Sequence, residues 1–129
     1  MTEIGVDLVS VRRMARLLDR FGSRALNRLF TAEEQALCRG RRDAARCLAA
    51  RFAAKEALLK ALGTGLRHGL RWTDIAVVSG PDGRPVYRLH PRVRHRLKGK
   101  TPRVSLSHEK EYALAVCILV GNAGDRPGG

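Results

Sequence analysis

The sequence predicts an α+β fold in which a mainly antiparallel sheet packs with one long helix and several short helices. Three observations carry that expectation. Alternating apolar stretches occur near both ends of the chain and again in its middle. A stretch rich in Ala, Leu, Lys, Glu and Arg runs from about Asp43 without Gly or Pro until Gly63, enough for a helix of roughly five turns. Strands and helices do not alternate in the regular manner of parallel units. At 129 residues the chain falls in the range of one domain, expected over 1–120, with a flexible tail over 121–129 rich in Gly, Asp and Pro.

At the start, Ile4, Val6 and Leu8 alternate with Gly5, Asp7 and Val9, which predicts a strand with Asp7 near its carboxyl end. Ser10 then caps a helix over 11–20, with Met14, Leu17 and Leu18 on its apolar stripe and Arg12, Arg13, Arg16 and Arg20 outside. Gly22 interrupts it, a short helix follows around 25–30, and Thr31 with Glu34 three residues later forms a capping box that opens a third. After the long helix, Ile75, Val77 and Val78 predict a strand, Pro81, Asp82 and Gly83 a turn, and 86–89 the returning strand of a hairpin. A short helix is expected over 91–97. Two last strands, over 103–107 and Tyr112–Val120, flank a tight connection at Ser107, His108 and Glu109.

With 44% hydrophobic and 29% charged residues, the composition excludes a disordered chain, and no apolar run is long enough to span a membrane. A formal charge of +13 calls for an anionic partner. Nucleic acid is one candidate, making the chain a small basic binding module without activity. Aromatics, however, are only 5%, too few for base-stacking platforms, and an acidic protein or a polyphosphate ligand fits as well. Cys38, Cys47 and Cys117 have no metal-ligand spacing and cannot all pair within one chain. Reduced thiols in a cytoplasmic protein are expected, the amino terminus lacking a secretory pattern.

Glu56 and Lys60 stand at i and i+4 of the long helix, on one face. Two readings are open: an ordinary surface ion pair, or a face that holds a metal and a phosphate together, with Asp7 as the second carboxylate. Magnesium needs few carboxylates, because it fills its shell with phosphate oxygens and water. The glycines at 63 and 65 match no nucleotide fingerprint, the four His have no zinc spacing, and no Ser occupies a nucleophile elbow. Arg12, Arg16, Arg20, Arg24 and Arg28 recur every four residues. They form either a solvated face or, if the helical path continues past Gly22, a basic stripe that receives an acidic helix.

Three segments in series resemble one family. They are Ile4-Gly5-Val6-Asp7-Leu8-Val9; Arg51-Phe52-Ala53-Ala54-Lys55-Glu56-Ala57 with Lys60 and Ala61-Leu62-Gly63-Thr64-Gly65; and Val104-Ser105-Leu106-Ser107-His108 with Tyr112-Ala113. From about Ile4 to Val120 the chain resembles the holo-acyl-carrier-protein synthases, short-type 4′-phosphopantetheinyl transferases of the single-half type. The resemblance implies transfer of the 4′-phosphopantetheine arm from coenzyme A to a serine of apo acyl carrier protein, releasing adenosine 3′,5′-bisphosphate. It implies Asp7 and Glu56 as magnesium ligands and Lys60 on the diphosphate, with Glu56 also the candidate base. Arg51 and His108 would hold the 3′-phosphate, Gly83, Arg84 and Pro85 the adenine end, and Gly63 would belong to the same coenzyme A site. It implies a homotrimer with sites at subunit interfaces, where Arg51 and His108 face a neighbour's Asp7 and Glu56. Arg13, Arg16, Arg20 and Arg24 would dock the acidic carrier; neither a nucleic-acid nor a membrane partner is expected. Glu109 departs from the smaller residue that often follows the His.

Overall fold

The computed structural model describes residues 3–121; the predicted tail beyond 121 lies outside the described residues. The chain runs β1 (Glu3–Ser10), α1 (Val11–Phe21), α2 (Ser23–Leu29), α3 (Ala32–Cys38) and α4 (Ala44–Leu62). A 3₁₀ turn (Trp72–Asp74) then leads into β2 (Ile75–Ser79), β3 (Pro85–Leu89), α5 (Pro91–Arg94), a second 3₁₀ turn (His95–Leu97), β4 (Thr101–His108) and β5 (Tyr112–Val120). The α+β expectation holds: β1, β5 and β4 form an antiparallel sheet in that order, and β2 pairs with β3 as an antiparallel hairpin. No described helix is long and apolar enough to cross a membrane.

The caps form as the sequence predicts. The Ser10 hydroxyl accepts from the Arg13 amide, and Thr31 and Glu34 exchange both bonds of a capping box. Gly63 ends α4 at φ 75°, in the left-handed region, its amide donating to the Leu59 and Lys60 carbonyls.

α4 lies across the inner face of the three-stranded sheet. That face presents Gly5 and Asp7 on β1, and Ala113, Ala115, Cys117 and Leu119 on β5, all four of which are buried. The helix answers with Ala53, Ala54, Ala57 and Ala61, also buried, so the two layers approach closely. At Gly5 the approach is backbone to backbone: a Cβ there would sit 2.0 Å from the Ala57 carbonyl oxygen. Only glycine fits, and this contact fixes the height of Asp7, two residues on, against the middle of α4. The outer face is left bare: Ile4, Val6, Leu8, Tyr112, Ile118 and Val120 are all exposed.

Three expectations are corrected. Cys38 and Cys47 are not reduced thiols but are disulfide-bonded, because the turn after α3 brings the end of that helix back onto the start of α4; Cys117 alone is free, and buried. His108 is not in a connection; it is the last residue of β4, paired with Ala113, because the ladder with β5 continues one residue beyond Ser107. The arginine stripe does not run on one helix, since the chain turns at Gly22 and α2 starts anew at Ser23.

Candidate functional site

The sequence motifs fall into two groups on different sides of α4. Glu56 and Lys60 share one helix face, whereas Arg51, five residues before Glu56, is turned from it by about 140° at 3.6 residues per turn.

On the first side stand Asp7, Glu56 and Lys60. The Lys60 ammonium donates to Asp7 Oδ1 at 2.8 Å and to the Val6 carbonyl at 3.2 Å. The i,i+4 ion pair to Glu56 is therefore not the one that forms; lysine reaches across to the strand. Lys60 is 53% exposed and Asp7 only 14%, so the ammonium remains accessible to an incoming anion while the carboxylate is sheltered. Bonding to Asp7 raises the Lys60 pKa. Burial, and then the charge of Asp7, raise that of Glu56, with Lys60 partly opposing. A second carboxylate close enough to disfavour the charge of Glu56 makes a place for a cation. The donors are oxygens alone, and no cluster of three or more His, Cys, Asp or Glu gathers among the described residues. Such a set fits magnesium, which takes one or two carboxylates and completes its shell from phosphate and water.

Beside Asp7 opens a cavity of about 490 Å³ lined by Arg13, Arg16 and Arg20 of α1 and by Met14, Leu17, Phe21 and Phe52. Three of the four predicted docking arginines thus share a cavity wall with the carboxylate. Arg24 stands on α2 and does not line it.

On the second side, Arg51, Arg84, Pro85 and His108 line a cavity of about 570 Å³, with Arg41, Asp43, Arg46 and Cys47. Of the predicted phosphate and adenine residues these four come together, although they derive from α4, the β2–β3 turn and the end of β4, while Gly83 does not line the cavity. The Arg46 and Arg51 Nε atoms are buried without a hydrogen-bond partner among the described residues. A buried, unpaired guanidinium N–H is costly unless an acceptor arrives, so each of these two side chains has a donor to offer an anion. Burial also lowers the Arg51 pKa, but a guanidinium stays protonated. Asp43 is held well below the usual carboxylate range by hydrogen bonds from Arg41 and then Arg46. Gly63 lines neither cavity.

Sequence reading missed Arg46 and Arg41, whose signal was a cluster of arginines just before the long helix. It also missed the role of Lys55. This side chain is fully buried beside Glu34 (2.6 Å) and donates to the Leu29 (2.7 Å) and Trp72 (3.1 Å) carbonyls. Glu34 accepts in turn from the Thr31 and Val77 amides. The pair ties α3, α4 and β2 together. Its signal was a lysine on the apolar side of α4, near Leu48, Leu58 and Leu59.

Comparison with known proteins gives the family and the fold. Residues 3–117 match the family described as the 4′-phosphopantetheinyl transferase superfamily. A holo-[acyl-carrier-protein] synthase of Trichlorobacter lovleyi is 48% identical over 119 residues, covering 90% of this chain and 94% of that protein. The crystal structure of a holo-[acyl-carrier-protein] synthase from Neisseria meningitidis superposes with a TM-score of 0.82 at 32% identity, covering 91% of this chain and 96% of the other. That of the Helicobacter pylori enzyme, in complex with coenzyme A, gives 0.81 at 30% identity over 90% and 98%. With its three motifs gathered on one sheet and one helix, the chain belongs to the 4′-phosphopantetheinyl transferase superfamily, among the holo-[acyl-carrier-protein] synthases.

Proposed function

We propose that the protein, acting through one domain over 1–120, transfers the 4′-phosphopantetheine group of coenzyme A to a serine of apo acyl carrier protein. The step depends on magnesium, releases adenosine 3′,5′-bisphosphate and takes place in the cytoplasm. The observation that carries this reading is the convergence of Asp7, from a remote strand, with Glu56 and Lys60 on one side of α4.

Asp7 and Glu56 would hold the ion, which when bound would supply positive charge at the diphosphate. Lys60, exposed and held in place by Asp7, turns its ammonium to the diphosphate oxygens and offsets the charge that builds on the leaving phosphate. Glu56 takes the proton of the attacking serine, directly or through a water; its raised pKa brings it closer to the range in which a carboxylate serves as a base. Arg51 and His108 hold the 3′-phosphate, joined by Arg46 with its unpaired donor. The turn at Gly83, Arg84 and Pro85 flanks the adenine, and Gly63 shapes the end of α4 near Lys60. Acidic helices of the carrier dock on Arg13, Arg16 and Arg20, with Arg24 at the margin.

A homotrimer completes this reading. In a single chain the phosphate cavity and the carboxylate pair lie on different sides of α4, so one coenzyme A molecule bridges the cavity of one copy and the Asp7 and Glu56 of the next. The bare apolar face of the sheet, from Ile4 to Leu8 and along β5, is the surface such an association would cover.

Intact-protein mass spectrometry of an apo carrier incubated with coenzyme A and magnesium tests the reading. The carrier gains the mass of the arm, a chelator stops the gain, and Asp7→Ala and Glu56→Ala abolish it while their circular dichroism stays that of the wild type. Modification at the wild-type rate by both variants would refute the metal-ligand assignment. For the assembly, mixing Arg51→Ala with Glu56→Ala subunits restores part of the activity, because some interfaces then carry both intact halves.

A further inference from the structure

We propose that Cys38 and Cys47 are a reversible thiol–disulfide switch on the basic cavity: the bonded form arranges the cavity for its phosphate ligand, and reduction weakens binding. The inference rests on the reading of that cavity as the 3′-phosphate site and adds its regulation.

Four observations point to it. The bond closes the segment between the end of α3 and the first turn of α4, which carries Arg39, Arg41, Arg42 and Arg46. Asp43, at the N-cap of α4, makes no capping bond; its carboxylate is occupied by Arg41 at 2.8 Å and Arg46 at 3.1 Å. The start of the helix is therefore tied to its surroundings by the disulfide rather than by a cap. Cys47 lines the cavity, and its carbonyl and sulfur both accept from Arg51 Nη1, at 3.1 and 3.3 Å. Finally, the two guanidinium groups with unpaired buried Nε atoms, Arg46 and Arg51, flank this cysteine in sequence at one and four residues. The redox state of one sulfur thus bears directly on the groups that await an anion.

The chemistry balances with a cellular dithiol as reductant. One of its thiolates attacks Cys47 Sγ, which lies on the cavity wall and is 6% exposed against 1% for Cys38. A mixed disulfide forms and Cys38 leaves as a thiolate, which takes up a proton. The second thiol of the reductant then displaces Cys47, so the protein gains two electrons and two protons and the reductant becomes a disulfide. Two consequences act in one direction. The arginine-bearing segment regains conformational freedom, and Arg51 Nη1 loses the fixed position of the Cys47 sulfur to which it donates. Disulfides that form in reducing compartments are commonly of this transient, sensing kind.

The test is calorimetric titration of the full chain with adenosine 3′,5′-bisphosphate, after oxidised glutathione and after dithiothreitol, with thiols counted by alkylation and mass in denaturant. The oxidised protein should alkylate at Cys117 alone and the reduced one at all three cysteines, with Kd rising about fivefold or more on reduction and recovering on reoxidation. A Cys38→Ser, Cys47→Ser double variant should bind weakly and ignore the reductant. Three alkylated cysteines after oxidation, or equal Kd in the two states with binding intact, overturn the switch and leave the coenzyme A reading standing. Absence of binding in both states overturns that reading and the switch with it.

Discussion

Lys55 and Lys60 lie on the same helix, and each is paired with a carboxylate from another element, yet they serve opposite ends. The Lys55–Glu34 pair is wholly buried, and its remaining hydrogen-bonding capacity is used by the Leu29 and Trp72 carbonyls and the Thr31 and Val77 amides. Nothing there is left to offer a substrate. The Lys60–Asp7 pair has an ammonium more than half exposed, and Glu56 stands nearby with its charge disfavoured. Burial with full satisfaction makes a structural clamp; partial burial with an unmet electrostatic need makes a site. Five residues along α4 separate the two.

The largest effect should come from breaking the clamp. Glu34→Ala leaves a buried ammonium without its counter-charge and should cost about 3–5 kcal/mol of stability, read by urea unfolding. If the cost were below about 1 kcal/mol, Lys55 would have found water, and the contrast with Lys60 would lose its basis. Lys60→Ala should behave in the opposite way. Its pair is solvent-screened, so stability should change by less than about 1 kcal/mol, while the transfer rate falls on the order of a hundredfold, about 2.7 kcal/mol of lost electrostatic stabilisation.

The smallest effect is a matter of pH. Burial and Asp7 push Glu56 above its ordinary 4.5, so the native state holds this proton more tightly than the unfolded chain does. The sign follows: Glu56 subtracts stability as pH rises from the unfolded value through the raised one, and ionised Glu56 is the cation-binding form. The transfer rate should therefore fall about tenfold for each pH unit below the raised pKa. Carboxyl NMR should place the Glu56 midpoint above 4.5, and Asp7→Asn should bring it down, because a repelling charge is gone and Lys60 is freed. An unmoved midpoint would mean that the two carboxylates do not share a site.

Much of the fold was legible because its signals are local. Ser10 and Thr31 cap their helices with partners three residues away, Gly63 stops α4, and the Pro81–Gly83 turn joins the hairpin; each interaction closes within a few residues. His108 was misplaced for a related reason: where a strand ends depends on how far its ladder partner extends, and the partner Ala113 lies beyond the turn. The cysteines were misread because pairing depends on how α3 folds back on α4, which spacing alone does not state. The carboxylates at 7 and 56 were legible as chemistry, through motif and resemblance, but not as geometry.

By itself, then, the sequence determined the order of the elements, the caps of the helices, the basic character of α1 and the residue types able to bind a cation and phosphates, all of which depend on neighbours within a turn or two. Only the tertiary structure decided which charges meet. Lys60 chose Asp7, fifty-three positions away, over Glu56 on its own helix face, and Lys55 chose Glu34 over solvent. The backbone contact at Gly5 brings β1 close enough to α4 for the first choice, and the capping box holds Glu34 in place for the second. Burial and distance select ion pairs, and both are properties of packed layers that no short stretch of chain contains.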